Sequence, residues 1–348
     1  MESFTIASHR IGDGRCFVIA EAGVNHNGEP DRARALIDAA LAAGADAVKF
    51  QTFKSELVIS AEAPKAAYQK AATGAGESQL EMVRRLELSE GDFRGLKAYC
   101  DARGILFLST PFDHPSVDFL DALGVPAFKA PSGEITNLPL LGHMARLGKP
   151  VILSTGMAAL EEVARAVTEL RAKGCPALAV LHCVSNYPAD PADANLRAMK
   201  TMAEAFDTPV GYSDHTTGID IALAAVALGA AVVEKHFTLD KSLPGPDHRA
   251  SLDPGELAAL VTGIRRIESA LGDGIKAPRP SEADTRQVAR RSLFLRAPLA
   301  AGQDIDAEQL VALRPAGGIA PNEIERLAGR RALHDLAAGA MLRWSDLT

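Results

Sequence analysis

The 348-residue chain has few cysteines, and their spacing is uninformative. Cys16, Cys100, Cys175 and Cys183 are scattered and form no CxxC pair. That argues against a zinc-finger pattern and a disulfide frame, and suggests reduced core thiols in a cytosolic setting. Long apolar runs are also missing. No stretch approaches the roughly 18 apolar residues of a membrane span, and the N-terminal MESFTIASHRIGDGR has no extended apolar region. The expectation is a cytoplasmic protein with no membrane partner. Basic runs are absent too, and nothing offsets the formal net charge of −7. A nucleic-acid partner is therefore not expected, and any anionic substrate must be held by local lysines. There is no G-x-S-x-G elbow and no Walker A loop. Gly12-Asp-Gly14 does not follow a strand, so it is no dinucleotide fingerprint.

What remains describes an ordinary globular protein with a sizeable core, 47 % hydrophobic. Short extended apolar runs fall at 17–20, 47–51, 105–110, 127–130, 151–155, 178–183, 210–214 and 231–237. Amphipathic segments such as 31–43, 116–123, 160–173 and 193–206 lie between them, several ending on a glycine suited to a helix C-cap. Eight strand–helix units in about 270 residues match the period of a (β/α)8 TIM barrel; a doubly wound open sheet is the alternative. One excursion departs from the period: residues 52–78 precede a helical stretch at 79–86, and a connection that long at a strand end reads as part of a site's mouth. The barrel pattern, residues 1–271, ends with a helix at 254–271. The polar segment 272–290 reads as a linker, and 291–348 as a small separate domain of short strands. That domain carries a weak repeat, Leu299-Ala-Ala-Gly302 and Leu336-Ala-Ala-Gly339.

In a parallel α/β fold every strand delivers its last side chains to one rim. The stretch from Val210 to His248 reads as strand, helix, strand and loop, and it places His215 and His236 at adjacent strand ends. A histidine there often only hydrogen-bonds a loop carbonyl. A pair of them, flanked by Ser213, Asp214, Glu234 and Lys235 and followed by Pro246-Asp247-His248, is a candidate divalent-metal site. The other strands contribute Glu21, Lys49, Gln51, Thr110, Lys129, Ser132, Glu134, Ser154, Ser185 and Tyr187 to the same rim. Lys49 and Lys129 interrupt apolar runs, where a lysine is costly unless an anion meets it. Either they pair with a barrel glutamate such as Glu134 or Glu234, or they form a phosphate and carboxylate cradle with the surrounding hydroxyls. In the second case Glu21 is the free base and the histidine metal the Lewis acid. Phe50, Phe53 and the 52–78 excursion are expected to give the rim beside Gln51 an apolar character.

The motifs EAGVNHNG (21–28), KFQTFK (49–54), STPFD (109–113), KAPSGEITNLPLL (129–141), ILSTGM (152–157), HCVSNYP (182–188), GYSDHT (211–216), EKHFTLD (234–240) and GPDHRASL (245–252) resemble the sialic acid (nonulosonic acid) synthase family. The C-terminal segment resembles that family's antifreeze-like (SAF) domain, with a β-clip fold. The resemblance implies condensation of phosphoenolpyruvate with an N-acyl hexosamine to a nine-carbon 2-keto acid and phosphate. Mn2+ is the implied metal, with Mg2+ or Co2+ as substitutes. It implies His215 and His236 as metal ligands and Glu21 as catalytic acid/base. Lys49, Thr110, Lys129, Ser132, Ser154, Ser185 and Ser213 match phosphoenolpyruvate contacts, although some members carry Asn where this chain has Ser185. Gln51, Glu134, Tyr187 and Asp247 match sugar contacts. Arg314 matches an arginine that the C-terminal domain inserts into a neighbouring subunit's barrel, which implies a domain-swapped homodimer. KFQTFK, PSGEITNLP and GPDHRASL resemble the N,N'-diacetyllegionaminate branch more than the N-acetylneuraminate branch. The favoured acceptor is therefore 2,4-diacetamido-2,4,6-trideoxymannose, with N-acetylmannosamine next. Two other classes remain: a metal-dependent barrel hydrolase, for which further ligands are not evident, and a non-catalytic carbohydrate-binding protein, which leaves Glu21 and the lysines without a role.

Overall fold

The computed structural model describes residues 3–74 and 76–348. The described chain forms two compact units that meet in sequence between Gly272 and Asp273. In the first, eight strands form one parallel sheet: β1 (Phe17–Gly23), β2 (Ala47–Thr52), β3 (Leu106–Pro111), β4 (Phe128–Ala130), β5 (Val151–Ser154), β6 (Leu178–Cys183), β7 (Val210–Asp214) and β8 (Val232–His236). The order is β3-β2-β1-β8-β7-β6-β5-β4, and its two end strands, β3 and β4, lie beside each other, closing the sheet into a barrel. Strand β1 runs three residues past the apolar run read from the sequence, because the alternation continues through Glu21.

Each strand side chain alternates between two cores. Phe17, Ile19, Ala47, Leu108, Ala127, Ile152, Ala179, Leu181 and Val232 point inward. The antiparallel hairpin Phe4–Ile6/His9–Ile11 contributes Ile6 and Ile11 to the same inner core. Val18, Ala20, Val48, Phe50, Phe107, Phe128, Val180, Tyr212 and Val233 point outward against the helices. Those helices are α1 (Pro30–Ala42), α2 (Glu90–Arg103), α3 (His114–Leu123), α4 (Leu138–Arg146), α5 (Leu160–Ala172), α6 (Ala198–Phe206), α7 (Asp220–Ala227) and α8 (Pro254–Leu271). Counting by twos from the inner apolar layer reaches Glu21, Lys49, Thr110, Lys129, Ser154, Ser213 and Glu234. One ring of polar side chains therefore faces inward at the strand ends.

The β2–α2 connection is longer than the sequence suggested. The helix expected at 79–86 is a short piece, Gln79–Arg84, and the barrel helix begins later, where Ser89 and Asp92 form a reciprocal cap. Two further short helices, Ser55–Val58 and Ala67–Thr73, precede it. The excursion is fastened at its base: Glu87 accepts from Ser55 N at 3.1 Å and Oγ at 2.8 Å, and Asp113 accepts from Lys54 N at 2.8 Å. Inside it, the buried Lys65 Nζ donates to Thr73 Oγ1 (2.9 Å), the Gly74 carbonyl (3.1 Å) and Glu77 (2.9 Å). Among the described residues no helix is long and apolar enough to cross a membrane.

The second unit holds a short helix, Ala283–Ala289, inside the segment read as a linker, and an antiparallel pair, β9 (Ser292–Leu295) and β10 (Leu310–Leu313). Its own core gathers Leu293, Leu295, Leu299, Ile319, Leu327 and Leu342. The weak repeat has a structural counterpart. Leu299 and Leu336, the first residues of the two LAAG copies, exchange both backbone hydrogen bonds, at 2.9 and 2.8 Å.

Candidate active site

A cavity of about 550 Å3 opens at the C-terminal ends of the barrel strands. Glu21, Lys49, Gln51, Thr110, Lys129, Ser132, Glu134, Ser154, Ser185, Tyr187, Ser213, His215, His236 and Asp247 all line it. Thirty to two hundred residues of sequence separate many of them, and the strand ends bring them together. Arg314 belongs to the second unit, where it is exposed.

The floor is a set of alternating buried charges. Lys49 Nζ lies 2.8 Å from Glu21 Oε2 and 3.7 Å from Glu234 Oε1, and Lys129 Nζ lies 3.6 Å from the same Glu234 oxygen. Lys49 donates to Thr110 Oγ1 at 2.8 Å and Lys129 to Ser154 Oγ at 2.7 Å. Ser213 donates to Glu234 at 3.2 Å, and Gln51 Nε2 to Glu21 Oε1 at 3.1 Å. Burial raises the Glu21 carboxyl to about 7, with Lys49 opposing the shift and Glu234 adding to it. Burial also works against the Glu234 carboxylate, yet Lys129 and Lys49 hold it below the usual range. Burial lowers the Lys129 ammonium despite Glu234 beside it. Sequence reasoning named Glu234 as a flank of His236 and a possible lysine partner, and gave it no role of its own in the site. The count by twos from Val232 places it inside the ring, shared by both lysines. Glu134 is not a lysine partner: it accepts from Asn137 Nδ2 at 2.7 Å.

The wall at β4 to β6 is shaped by a glycine. Gly156 N donates to Ser132 Oγ at 2.9 Å, and a Cβ on Gly156 would stand 2.1 Å from Ser185 Oγ and 2.9 Å from Cys183 Sγ. Only glycine allows the three hydroxyl-bearing turns to approach so closely. The next residue, Met157, adopts φ +65° and stays exposed at the rim.

Opposite the lysines stand the two imidazoles, with ring centroids 5.5 Å apart. His215 donates Nδ1–H to the Val184 carbonyl at 2.7 Å, which leaves Nε2 with its lone pair. His236 Nδ1 is buried without a hydrogen-bond partner. Burial lowers His215 to about 4 and His236 well below its ordinary value, so both are neutral near pH 7. Two neutral imidazoles with ring nitrogens left free fit a divalent ion that completes its shell with oxygen ligands. Among the described residues no group of three or more His, Cys, Asp or Glu side chains is arranged to hold a metal. The Tyr187 ring packs 4.2 Å from His215 and edge-on to His236, and Tyr68 from the excursion packs 5.1 Å from Tyr187. Tyr68 went unnoticed in the sequence, because nothing periodic marks a residue that a connection folds back over the barrel.

The excursion supplies an apolar flank of Val58, Ile59, Met82, Val83 and Leu86, joined by Val24, Phe53 and Phe112. Phe50 corrects the sequence reading. It lies on the outward parity, stacked on Phe107 at 5.8 Å, and does not face the cavity. Across the mouth, burial raises Asp247 to about 6, and its carbonyl accepts from Ser251 Oγ at 2.7 Å. Asn25 ties that loop to β1 by donating to Ser251 Oγ (2.9 Å) and the Phe237 carbonyl (2.8 Å).

Residues 36–276 match the NeuB family model and residues 290–348 the SAF domain. The chain is 50 % identical to the N,N'-diacetyllegionaminic acid synthase of Legionella pneumophila, over 95 % of this chain and 94 % of that protein. It is 48 % identical to the enzyme of the same name from Campylobacter jejuni, over 94 % and 99 %. Among solved structures it resembles the N-acetylneuraminic acid synthetase of Leptospira borgpetersenii, with 39 % identity and TM-score 0.72 over 82 % of this chain and 95 % of that one. A barrel with buried lysines facing a histidine pair, followed by an SAF domain and aligned almost end to end with these synthases, belongs to the NeuB family.

Proposed function

We propose that this protein is a nonulosonic acid synthase that condenses phosphoenolpyruvate with 2,4-diacetamido-2,4,6-trideoxymannose, giving N,N'-diacetyllegionaminate and phosphate. The observation that carries the reading is one cavity with two unlike linings: buried Lys49 and Lys129 with hydroxyls on the floor, and an apolar flank from the β2–α2 excursion. The first suits a small phosphorylated carboxylate, the second the methyl groups of a deoxy, doubly acetylated sugar.

Lys49 and Lys129 hold the phosphate and carboxylate, with Thr110, Ser132, Ser154, Ser185 and Ser213 as neutral donors. Gln51, Glu134, Tyr187 and Asp247 orient the acceptor so that its aldehyde faces C3 of phosphoenolpyruvate. His215 and His236 would hold Mn2+, or Mg2+ or Co2+ in its place, and the ion supplies a Lewis acid for the aldehyde oxygen. C3 attacks the aldehyde carbon. Glu21 accepts a proton from the water that adds at C2, and phosphate leaves with cleavage of its bond to C2. By family likeness the protein acts in the cytoplasm as a homodimer, with Arg314 serving the acceptor site of a second copy.

The test is phosphate release from phosphoenolpyruvate against a panel of hexosamines. Turnover with N-acetylmannosamine alone would favour N-acetylneuraminate synthesis, the second reading, which the likeness to the Leptospira protein supports. No turnover with any N-acyl hexosamine would reject both.

A further inference from the structure

Two charged side chains at the rim face away from the cavity. Asp214 and Lys235 are opposite each other in the β7–β8 ladder, on the outward parity, and neither side chain is reached by solvent. Lys235 Nζ donates to Asp214 Oδ2 at 2.6 Å and to the Thr216 carbonyl at 2.5 Å. Asp214 Oδ1 accepts from Thr216 N at 2.9 Å and Oγ1 at 2.8 Å. A fully buried ion pair is a poor source of stability, since desolvation offsets much of the attraction and apolar pairs of similar volume often serve as well. Its place in the sheet suggests another role.

The residues that follow this rung on the two strands are His215 and His236. His215 is bracketed, because Asp214 before it and Thr216 after it are both tied to one ammonium. Its carbonyl accepts from Ala189 N at 2.9 Å, and its ring is fixed on the Val184 carbonyl. His236 has no such hold on its ring; its backbone carbonyl accepts from Leu252 N at 2.9 Å. The last rung of the β7–β8 ladder before the imidazoles is thus reinforced by an ion pair between its two side chains.

We propose that Asp214 and Lys235 are positioning residues that set the spacing of His215 and His236, and so the affinity of that pair for a divalent cation. The inference rests on the reading of the two histidines as a metal site. Because neither residue touches the cavity, their loss acts on binding of the ion and leaves the groups that meet the substrates in place.

The experiment is titration of Mn2+ into metal-free protein, followed by the resonance of the free ion, with thermal melting alongside. Asp214→Asn and Lys235→Met should each weaken Mn2+ binding by roughly 10- to 100-fold, as loss of partners behind metal ligands generally does. The double variant Asp214→Leu/Lys235→Met leaves no charge unpaired. It should melt near the wild type yet still bind Mn2+ weakly, with kcat recovering at saturating Mn2+. A double variant that binds Mn2+ like the wild type would show that the pair only packs. If the double variant does not fold, Thr216→Val decides: it deletes one bond to Asp214 and should weaken Mn2+ roughly threefold, and unchanged affinity would overturn the proposal. A wild type that binds no Mn2+, or His215→Ala and His236→Ala variants that bind it undiminished, would remove the metal reading itself and the proposal with it.

Discussion

The rim carries two kinds of buried lysine–carboxylate contact, and they differ in how complete they are. On the outward face, Lys235 and Asp214 meet at 2.6 Å, and Thr216 takes up remaining capacity of both. On the inward face, Glu234 stands 3.6 and 3.7 Å from two lysines, and its Oε2 has no hydrogen-bond partner. The outward pair is closed by the chain itself. The inward set has capacity left over at the wall of a cavity: Glu234 Oε2 can accept from a donor on a ligand, and Lys129, which donates to Ser154 Oγ at 2.7 Å and less closely to the Ala130 carbonyl at 3.4 Å, can turn to an anion. Burial alone therefore does not separate structural charge from functional charge; what separates them is whether the protein completes the coordination.

The comparison can be broken in order of expected effect. Excess chelator should abolish turnover and Mn2+ should restore it, because two histidines hold an ion loosely; full activity in chelator would end the metal assignment. Glu21→Gln keeps size and most hydrogen bonds but cannot take a proton. Turnover should fall ~10²-fold or more with phosphoenolpyruvate binding retained, and normal turnover would assign the water to another residue.

Lys49→Met tests the open set from the other side. Burial raises Glu21 and Lys49 opposes it, so removing the cation should move that carboxyl above its present value of about 7, as read by carbon-13 resonance in metal-free protein. The sign for stability follows. Glu21's ordinary value is 4.5, so the folded state holds the proton more tightly than the unfolded one. Its contribution to stability is present in full below pH 4.5 and is lost as pH rises through about 7. A Glu21 value that fell in the variant would contradict the electrostatic account.

The acceptor effects are smaller. An apolar flank worth one or two methyl groups should favour the 4-acetamido, 6-deoxy sugar over N-acetylmannosamine by roughly 10- to 200-fold in kcat/KM, and a reversed preference would make N-acetylmannosamine the acceptor. Arg314→Ala should raise the KM for sugar more than that for phosphoenolpyruvate. Mixing Arg314→Ala with Glu21→Gln subunits should regain activity if the arginine serves the second copy's barrel, and verified mixed dimers without activity would place it in its own.

How much of this was legible beforehand follows from the range of each signal. Parity along a strand is local, so Glu21, Lys49, Thr110, Lys129, Ser154 and Ser213 could be placed at strand ends by counting from Ile19, Ala47, Leu108, Ala127, Ile152 and Gly211. The same count shows why Phe50 faces the helices, one residue out of step with Lys49. Capping residues are local too, and the Ser89/Asp92 pair marks the true start of α2. Tyr68 carried no such mark. Its place above Tyr187 depends on Lys65, Glu77, Ser55 and Glu87 fastening a connection of more than thirty residues.

The sequence by itself determined the eightfold strand–helix period, the polar ring at the strand ends and the family, because alternation, caps and motifs are written in neighbouring residues. Only the tertiary structure decided that Glu234 is shared by both lysines and that Asp214 and Lys235 close on each other behind the histidines. Those facts depend on register between strands and on distances of a few ångströms across the barrel, which residues far apart in the chain acquire only when the sheet closes.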